Sequence, residues 1–218
     1  MISILMPVYN GIEYIDESVK SIMCQTFKDW ELIIGVNGHS KNSSVYNKAI
    51  KCAEQDIERI TVIDMFDCKG KSNALNKMIK VARYEWIALL DVDDVWLPKK
   101  LESQLPYTNE YDIIGTHCKY FGDSNAIPSI PLGSISNYNF LQVNPIINSS
   151  CLVKKTLCYW NSKHDGVEDY DMWIRLWKEN KKFYNVHGIH VLHRIHKDSA
   201  FNAQGNNNKV GDVIKKYL

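Results

Sequence analysis

The sequence predicts an α/β fold in which a mixed, mostly parallel central sheet is flanked by helices within a single domain. The first 96 residues alternate short apolar segments with segments of helical periodicity, a pattern typical of parallel sheets with crossover helices. The length of 218 residues suits one domain with a sizeable core. Hydrophobic residues make up 45% of the chain and charged residues 23%, as in ordinary globular proteins.

Four apolar segments predict the parallel strands of the first half. Each is short and nearly continuous in apolar residues, as expected for a strand that is buried on both faces. The strands are predicted at 2–9, 31–36, 60–63 and 86–90, and the helices at 11–25, at 71–82 and in a segment ending near residue 53. Ligands of such sheets bind outside the carboxyl ends of the strands. The polar residues that follow these strands should therefore gather along one edge.

The second half of the chain is less regular. Strands are predicted at 111–120, 150–154 and 186–195, the last interrupted by Gly188, and a proline-marked loop at 122–133. The segment 168–179 has the periodicity of an amphipathic helix and begins with acidic residues, which suit the positive end of a helix dipole. The polar run 202–209 is typical of a loop or linker, and 210–218 of a short helix.

Composition and charge narrow the class of protein. Lys and Arg number 26 and Asp and Glu 25, a formal net charge of +1, so no charge excess points toward nucleic acid or a membrane surface. The six cysteines are scattered without a C-x-x-C pair and are expected to be free, structural thiols. The sequence contains neither a signal peptide pattern nor a transmembrane segment. We therefore expect a cytoplasmic protein.

Three carboxylates follow the most apolar of the predicted strands. Asp91, Asp93 and Asp94 come directly after the segment 86–90 and would repel one another unless a cation neutralised them. Oxygen ligands at the end of a strand suit Mg²⁺ or Mn²⁺ shared with phosphates. The alternative is a solvated turn in which aspartates cap the next helix. The apolar strand before them favours the metal site.

Five stretches of the chain resemble glycosyltransferase family 2 enzymes of the GT-A fold. In order they are MPVYN at 6–10, SIMCQTF at 21–27, ALLDVDDVW at 88–96, EDYDMWIRL at 168–176 and RIHKDSAF at 194–201. The resemblance implies a GT-A (Rossmann-like) domain over 1–201, with a nucleotide-binding half at 1–96 and an acceptor-side half at 97–201. Residues 202–218 would form a tail or a linker to a further domain.

The resemblance also implies a nucleotide-sugar donor site. It assigns Pro7, Tyr9, Asn37 and Asp91 to the donor, with Tyr9 stacked on a uracil and Asp91 near the ribose or the donor sugar. Asp93 would ligate the Mn²⁺ or Mg²⁺ ion that bridges the diphosphate. The alternative for Tyr9 is an aromatic residue packed on its neighbours at the edge of the sheet.

The late motifs supply a base and a further metal ligand by the same resemblance. Asp169 of the Glu168-Asp169 pair would take the proton of the acceptor hydroxyl, although both acids could simply decorate a helix N-terminus. His196 would be a metal or diphosphate ligand, or else a structural histidine. On an unbroken strand His193 would lie on the opposite face, and Arg194 could meet the diphosphate charge.

The sequence departs from the family pattern after the second predicted strand. Many members carry aspartates where this chain has Asn37 and Gly38, and an amide oxygen is a weaker acceptor for the uracil N3–H than a carboxylate. UDP is therefore favoured as the nucleotide without being fixed. Neither Lys69 nor Lys71 belongs to a phosphate-binding P-loop, since Met65 stands where that motif needs glycine. A lysine near the phosphates and a solvated lysine both remain open.

The resulting hypothesis is an inverting, metal-dependent glycosyltransferase. It would move a sugar from a nucleoside-diphosphate sugar, preferably a UDP-sugar, to the hydroxyl of a glycan or other acceptor. Since the Q-x-x-R-W motif of processive synthases is absent, single additions fit better than polymerisation. Two alternatives are a non-catalytic module that binds nucleotide sugars within a larger protein, and a sugar nucleotidyltransferase. The latter would carry a glycine-rich, basic loop after the first strand, which this chain lacks.

Overall fold

A mixed central sheet organises the part of the chain that the computed structural model describes, residues 1–197 and 206–218. Its nine strands are β1 Ile2–Val8, β2 Trp30–Asn37, β3 Ile60–Met65, β4 Trp86–Leu89, β5 Val95–Trp96, β6 Ile113–Gly122, β7 Gly133–Ser134, β8 Leu152–Lys154 and β9 Phe183–Ile195. In this part of the chain they join in the order β3-β2-β1-β4-β8-β6-β9-β5, with β7 paired to β9.

Long parallel pairings and short antiparallel ones make up this sheet. β3, β2, β1 and β4 are parallel neighbours, and β6 is parallel to β9, whereas β8, β5 and β7 add short antiparallel pairings. The predicted α/β fold with a mostly parallel sheet is thus confirmed. The helices are α1 Ile15–Met23, α2 Ser44–Ala53, α3 Lys71–Val81, α4 Lys100–Gln104, α5 Glu168–Lys178 and α6 Asn206–Tyr217.

Apolar side chains pack on both faces of the sheet and explain the continuous hydrophobic runs. All eight positions of β2 are buried, and two core clusters form, one with α1 and α2 and the other with α3 and α5. Burial on both faces is the reason that the strands of a parallel sheet lack the polar alternation of a half-exposed strand. Because β1 is parallel to both β2 and β4, the carboxyl ends of these three strands lie at the same edge of the sheet.

The structure differs from the predicted elements mainly near the end of the chain. Residues 206–209 were predicted as loop or linker, but they begin α6, whose Val213 is fully buried. The rest of that predicted loop, 202–205, and the predicted domain boundary at residue 201 lie outside the described residues. The division into halves at residue 96 stays a prediction.

The predicted interruption at Gly188 is a bulge within a continuous strand. β9 runs from Phe183 to Ile195, and its register against β6 shifts around Gly188, whose φ is +94°. An extra residue accommodated in this way bends the strand without ending it. The shift in register determines which side chains at the end of β9 face the edge of the sheet where β4 ends.

Two further expectations from composition can be compared with the structure. All six cysteines are free. In residues 1–197 and 206–218, none of the helices has the length and apolar character needed to cross a membrane. The cytoplasmic location stays a prediction.

Candidate active site

Asp91 is fixed at the carboxyl end of β4 by partners from two other segments. Its backbone N–H donates to Ser149 Oγ at 3.1 Å, and its Oδ2 accepts from Asn148 Nδ2 at 3.0 Å. Its Oδ1 accepts from Lys71 Nζ at 2.6 Å. Ser149 is itself held by its carbonyl, which accepts from Trp96 Nε1 at 2.7 Å. Both carboxylate oxygens of Asp91 are therefore oriented before any ligand binds.

Lys71 links this aspartate to the acidic start of α5. Its ammonium also lies 3.6 Å from Glu168 Oε1. Burial by itself would lower the pKa of Lys71, but the charges of Asp91 and Glu168 outweigh it and raise that pKa. Burial alone would likewise raise the pKa of Asp91, but Lys71 and the Asn148 hydrogen bond lower it. Asp91 and Lys71 thus form an ion pair at neutral pH.

The N-terminus of α3, which presents Lys71, is shaped by a residue distant in sequence. Asp165 Oδ1 accepts from Ser72 N at 2.9 Å and so caps the helix. At Gly70 (φ +83°) a Cβ would lie only 1.8 Å from Asp165 Oδ2, so the turn has room only for glycine. The segment that precedes α5 is thereby joined to the helix that carries Lys71.

Asp93 and Asp94 each meet a different histidine. Asp93 Oδ2 lies 3.0 Å from His196 Nε2, and the fully buried Asp94 places Oδ2 2.9 Å from His193 Nδ1. β9 ends at Ile195, so the alternation of side chains between the two faces of the strand does not extend to His196, whose ring lies against Asp93. Burial would lower the pKa of His193, but Asp94 raises it to about 9. The pair His193–Asp94 is therefore a charged, structural pair at neutral pH.

Asp93 and His196 provide a site that fits a divalent cation. Burial and the charges of Asp94 and Asp91 raise the pKa of Asp93, although His196 lowers it in part. An added positive charge would relieve this crowding of carboxylates. A carboxylate and an imidazole suit Mn²⁺, and such ions commonly take the remaining ligands from phosphate and water. Within the described residues, three or more His, Cys, Asp or Glu side chains do not come together as a complete protein cage.

The Arg194 side chain is engaged in bonds within the protein and is not available as a phosphate ligand. Its guanidinium pairs with Glu17, its Nε donates to the Asp93 carbonyl at 2.8 Å, and its backbone N–H donates to Asp94 Oδ1 at 2.8 Å. It also packs over the ring of Tyr14 at 4.4 Å. The contact with the diphosphate that the sequence left open for Arg194 would require these bonds to break. Arg194 instead fixes the loop that presents Asp93.

Asp169 lies in the first turn of α5, beside the network of Lys71. Its Oδ2 is 3.4 Å from Asn144 Nδ2. Burial and, after it, the charge of Glu168 raise the pKa of Asp169 to about 6. Glu168 is held by the Gly166 N–H, which donates to its Oε2 at 2.6 Å. A carboxylate with a pKa near 6 is ionised at neutral pH and is basic enough to accept a proton in catalysis.

The carboxyl ends of β1 and β2 form the other end of the site. Tyr9 follows β1 and leaves 57% of its surface exposed, whereas Asn37 at the end of β2 is 4% exposed. The Tyr9 carbonyl accepts from His39 Nε2 at 2.6 Å, and a Cβ at Gly38 would lie 2.8 Å from the Tyr9 ring. Because a carbonyl only accepts, His39 Nε2 must be the donor of this hydrogen bond. Pro7 pairs with Gly35 between these two strands.

The predicted site residues therefore lie at one edge of the sheet, in two groups. Pro7, Tyr9 and Asn37 form one group, and Asp91, Asp93, Asp169 and His196 lie near the carboxyl end of β4. Sequence reasoning missed Asn148 and His39 and left Lys71 open between two interpretations. On α3, the side chains of Asn73 and Asn76 bond to main-chain atoms of Lys69 and Trp160, respectively.

Comparison with known proteins identifies the family. Residues 3–155 match the family model for Glycosyl transferase family 2. The chain belongs to this family. It is 30% identical to an uncharacterized glycosyltransferase of Methanocaldococcus jannaschii, over 89% of this chain and 71% of that protein. It is also 30% identical to the O-antigen biosynthesis glycosyltransferase WbnJ of Escherichia coli, over 92% of this chain and 82% of WbnJ.

Solved structures show that this glycosyltransferase has the GT-A fold. Staphylococcus aureus TarS 1–349 in complex with UDP-GlcNAc aligns with a TM-score of 0.78 at 15% identity, covering 99% of this chain and 65% of that one. The mannosyltransferase PcManGT of Pyrobaculum calidifontis, in complex with GDP-Man and Mn²⁺, aligns with a TM-score of 0.71 at 15% identity. That alignment covers 91% of this chain and 58% of PcManGT.

Proposed function

We propose that the protein is an inverting, metal-dependent glycosyltransferase that uses a nucleoside-diphosphate sugar, preferably a UDP-sugar. One observation carries this proposal: Lys71 lies 2.6 Å from Asp91 and 3.6 Å from Glu168. The carboxylates after β4 and those at the start of α5 thus share one lysine, although the sequence separates them widely. A donor held by the first group would be close to a base in the second.

Donor binding is assigned to the groups at the ends of β1, β2 and β4. The exposed ring of Tyr9 offers a face on which a nucleobase can stack, and the buried Asn37 amide offers a donor and an acceptor to its edge. Asp91, oriented by Lys71 and Asn148, would accept hydrogen bonds from hydroxyl groups of the donor. Such preset acceptors cost no reorganisation when the substrate arrives.

Asp93 and His196 would hold the divalent cation, with Mn²⁺ favoured over Mg²⁺ by the imidazole. A cation bound there would offset the negative charge on the departing diphosphate. Asp94 would position Asp93 without binding the cation, because its bonds to His193 and Arg194 fix the turn that contains Asp93. Mn²⁺ in the PcManGT complex is consistent with this assignment.

Asp169 is proposed as the catalytic base. It would take the proton of the acceptor hydroxyl as the hydroxyl oxygen bonds to the anomeric carbon and the bond from that carbon to the diphosphate breaks. Attack from the face opposite to the leaving group inverts the anomeric configuration. A positioned base of this kind contributes about 10²–10⁴-fold to the rate.

The acceptor is proposed to be a glycan. The relative WfaP of Escherichia coli is named a UDP-Glc:alpha-D-GlcNAc-diphosphoundecaprenol beta-1,3-glucosyltransferase and is 26% identical over 92% of this chain. WbnJ is named for O-antigen biosynthesis. These names favour a sugar hydroxyl as the nucleophile and a UDP-sugar as the donor. Further domains beyond 1–201 stay a prediction.

Titration calorimetry with UDP, GDP and dTDP tests the donor and metal assignments together. The wild type and Asp93→Asn are titrated with each nucleotide, with and without Mn²⁺. We expect Mn²⁺-dependent binding of UDP by the wild type and its loss in Asp93→Asn. Folded wild-type protein that binds none of the three nucleotides would overturn the proposal.

Donor turnover separates the enzyme from a non-catalytic binding module. UDP release from UDP-glucose and UDP-N-acetylglucosamine is compared between the wild type and Asp169→Asn, with a mixture of glycans as acceptor. An enzyme loses at least about 10²-fold in rate in the variant. A binding module would bind the nucleotide equally well in both forms and release no UDP in either.

A further inference from the structure

The helix α6 packs against α5, the helix that begins with Glu168 and Asp169. Val213 is fully buried in the same apolar cluster as Met172 and Trp173 of α5. Val210 and Ile214 pack against this cluster as well. These contacts make α6 part of the fold around α5, where the sequence predicted a tail or linker.

A buried carboxylate joins the two helices. Asp171 of α5 is 3% exposed, and its Oδ1 accepts from Lys216 Nζ at 2.7 Å and from Tyr217 OH at 3.0 Å. His164 Nε2 lies 3.8 Å from the same oxygen. Asp171 stands two positions after Asp169, in the same first turn of α5. Of these three groups, the two closest to the Asp171 carboxylate come from the C-terminal end of α6.

The other end of α6 is attached just before α5. Lys209 Nζ donates to the Asp165 carbonyl at 2.8 Å. The carboxylate of Asp165 caps α3 through Ser72, one residue after Lys71. The two attachments of α6 therefore lie on either side of Glu168 and Asp169 along the chain. The base-bearing turn is held between them.

We propose that α6 is a positioning element of the active site, which holds the first turn of α5, and with it Asp169, through Lys216, Tyr217 and Asp171. The inference rests on the proposed role of Asp169 as base. Without Lys216 the buried Asp171 carboxylate loses its close cationic partner and gains stability by moving toward water. A displacement of about 1 Å at a catalytic group can reduce a rate by about 10²-fold.

The variant Lys216→Met tests this positioning role against a matched control in the next residue. Lys215 is 77% exposed and pairs with Asp212, so Lys215→Met removes the same charge from α6 without touching Asp171. We expect Lys216→Met to lower kcat for UDP release from UDP-glucose or UDP-N-acetylglucosamine by about tenfold or more. The donor KM and the affinity for UDP with Mn²⁺ stay unchanged. Lys216→Arg restores kcat because it keeps the charge.

Hydrogen–deuterium exchange of residues 165–171 gives a second measurement that needs no turnover. Exchange should increase in Lys216→Met and stay at the wild-type level in Lys215→Met. Unchanged exchange and kcat in Lys216→Met would overturn the positioning role, as would an equal change in both variants. If the wild type shows no turnover, the proposed enzyme fails while exchange still decides whether α6 holds this turn.

Discussion

Lys71 Nζ donates to Asp91 Oδ1 at 2.6 Å and thereby joins the start of α3 to the end of β4. Both residues precede residue 97, in the part of the chain predicted to bind the nucleotide, and the same ammonium reaches Glu168 at the start of α5. The positive charge of Lys71 thus lies between Asp91 of the proposed donor site and Glu168, the neighbour of the proposed base Asp169. Its removal leaves two acidic groups facing each other without a cation between them.

Lys71→Met is therefore expected to weaken UDP binding in the presence of Mn²⁺ and to lower the free energy of unfolding. The loss of stability should be about 1 kcal/mol, because Lys71 keeps 33% of its side-chain surface exposed and solvent screens the pair. The pKa of Asp91 is lowered in the folded state, so its stabilising contribution is present above the pKa of an unfolded aspartate and is lost as pH falls below it. Calorimetry measures the affinity for UDP, and urea unfolding at pH 7 and pH 3 measures the loss of stability and its dependence on pH.

Lys69→Met provides the control for this variant, because Lys69 is exposed and its side chain makes no hydrogen bond or ion pair within the described chain. We expect Lys69→Met to match the wild type in UDP affinity and stability. Equal behaviour of the two lysine variants would show that the Lys71–Asp91 pair contributes nothing to the site.

Glu168→Gln should move the acidic limb of the rate profile to lower pH. Ionised Asp169 is the active form of the base, so the wild type should lose activity as pH falls through about 6. Burial is the first cause of that high pKa and the charge of Glu168 is the second. Glutamine keeps the acceptor for Gly166 N but removes the charge, so the pKa of Asp169 falls. The measurement is kcat for UDP release between pH 4.5 and 8, a range that includes the pKa of Asp169 in the wild type and a lower pKa in the variant.

The control for this profile is Glu179→Gln at the other end of α5. Glu179 pairs with Arg175 on the surface and is remote in sequence from the first turn. Its replacement should leave the acidic limb where the wild type has it. A Glu168→Gln profile identical to that of the wild type would contradict the assignment of Asp169 as the titrating base.

The strands and the aspartates after β4 could be predicted because local sequence encodes them. The segment around Leu89 and Leu90 is apolar since it is buried on both faces, and polar residues can follow only where it reaches the edge. The family motifs then supplied roles for Asp93 and Asp169. What these motifs have in common is that each is a short, contiguous stretch of sequence.

Partners that come from distant segments could not be predicted in this way. Asn148 reaches Asp91 across 57 positions and Ser72 reaches Asp165 across 93, and no local pattern announces either contact. The docking of α6 was missed for the same reason. Its segment is polar overall, and the burial of Val213 depends on the apolar surface of α5. Periodicity gives the face of a helix but not the surface that the face meets.

Tyr9→Ala is expected to weaken UDP binding about tenfold with Mn²⁺ present. The Tyr9 ring is held by Gly38 and His39 but leaves 57% of the residue exposed, and stacking of a base on an aromatic ring contributes about 1–3 kcal/mol. Tyr159→Ala is the control, since Tyr159 is 60% exposed but lies far along the chain from this group. Calorimetry that gives the same UDP affinity for the wild type and Tyr9→Ala would contradict stacking at this position.

Lys100→Met should stabilise the protein. The Lys100 side chain is fully buried, and its ammonium lies 3.9 Å from the centre of the Trp96 ring and 3.4 Å from the Cys151 carbonyl. Among the described residues, no acidic side chain pairs with it. Burial lowers the pKa of Lys100 to about 7. Methionine has a similar length and no charge to desolvate.

The gain from Lys100→Met depends on pH in a direction that the lowered pKa fixes. Below about pH 7 lysine is charged in both the folded and the unfolded state, so the full cost of burying the charge is present. As pH rises toward about 10.4, the folded state loses its proton first and the cost disappears. The variant should therefore gain about 1–3 kcal/mol in the free energy of unfolding at pH 6 and much less at pH 10. Lys99→Met, which changes an exposed neighbour, should show no such difference; a gain in Lys100→Met that is equal at both pH values would mean that packing, not charge burial, sets the stability at this position.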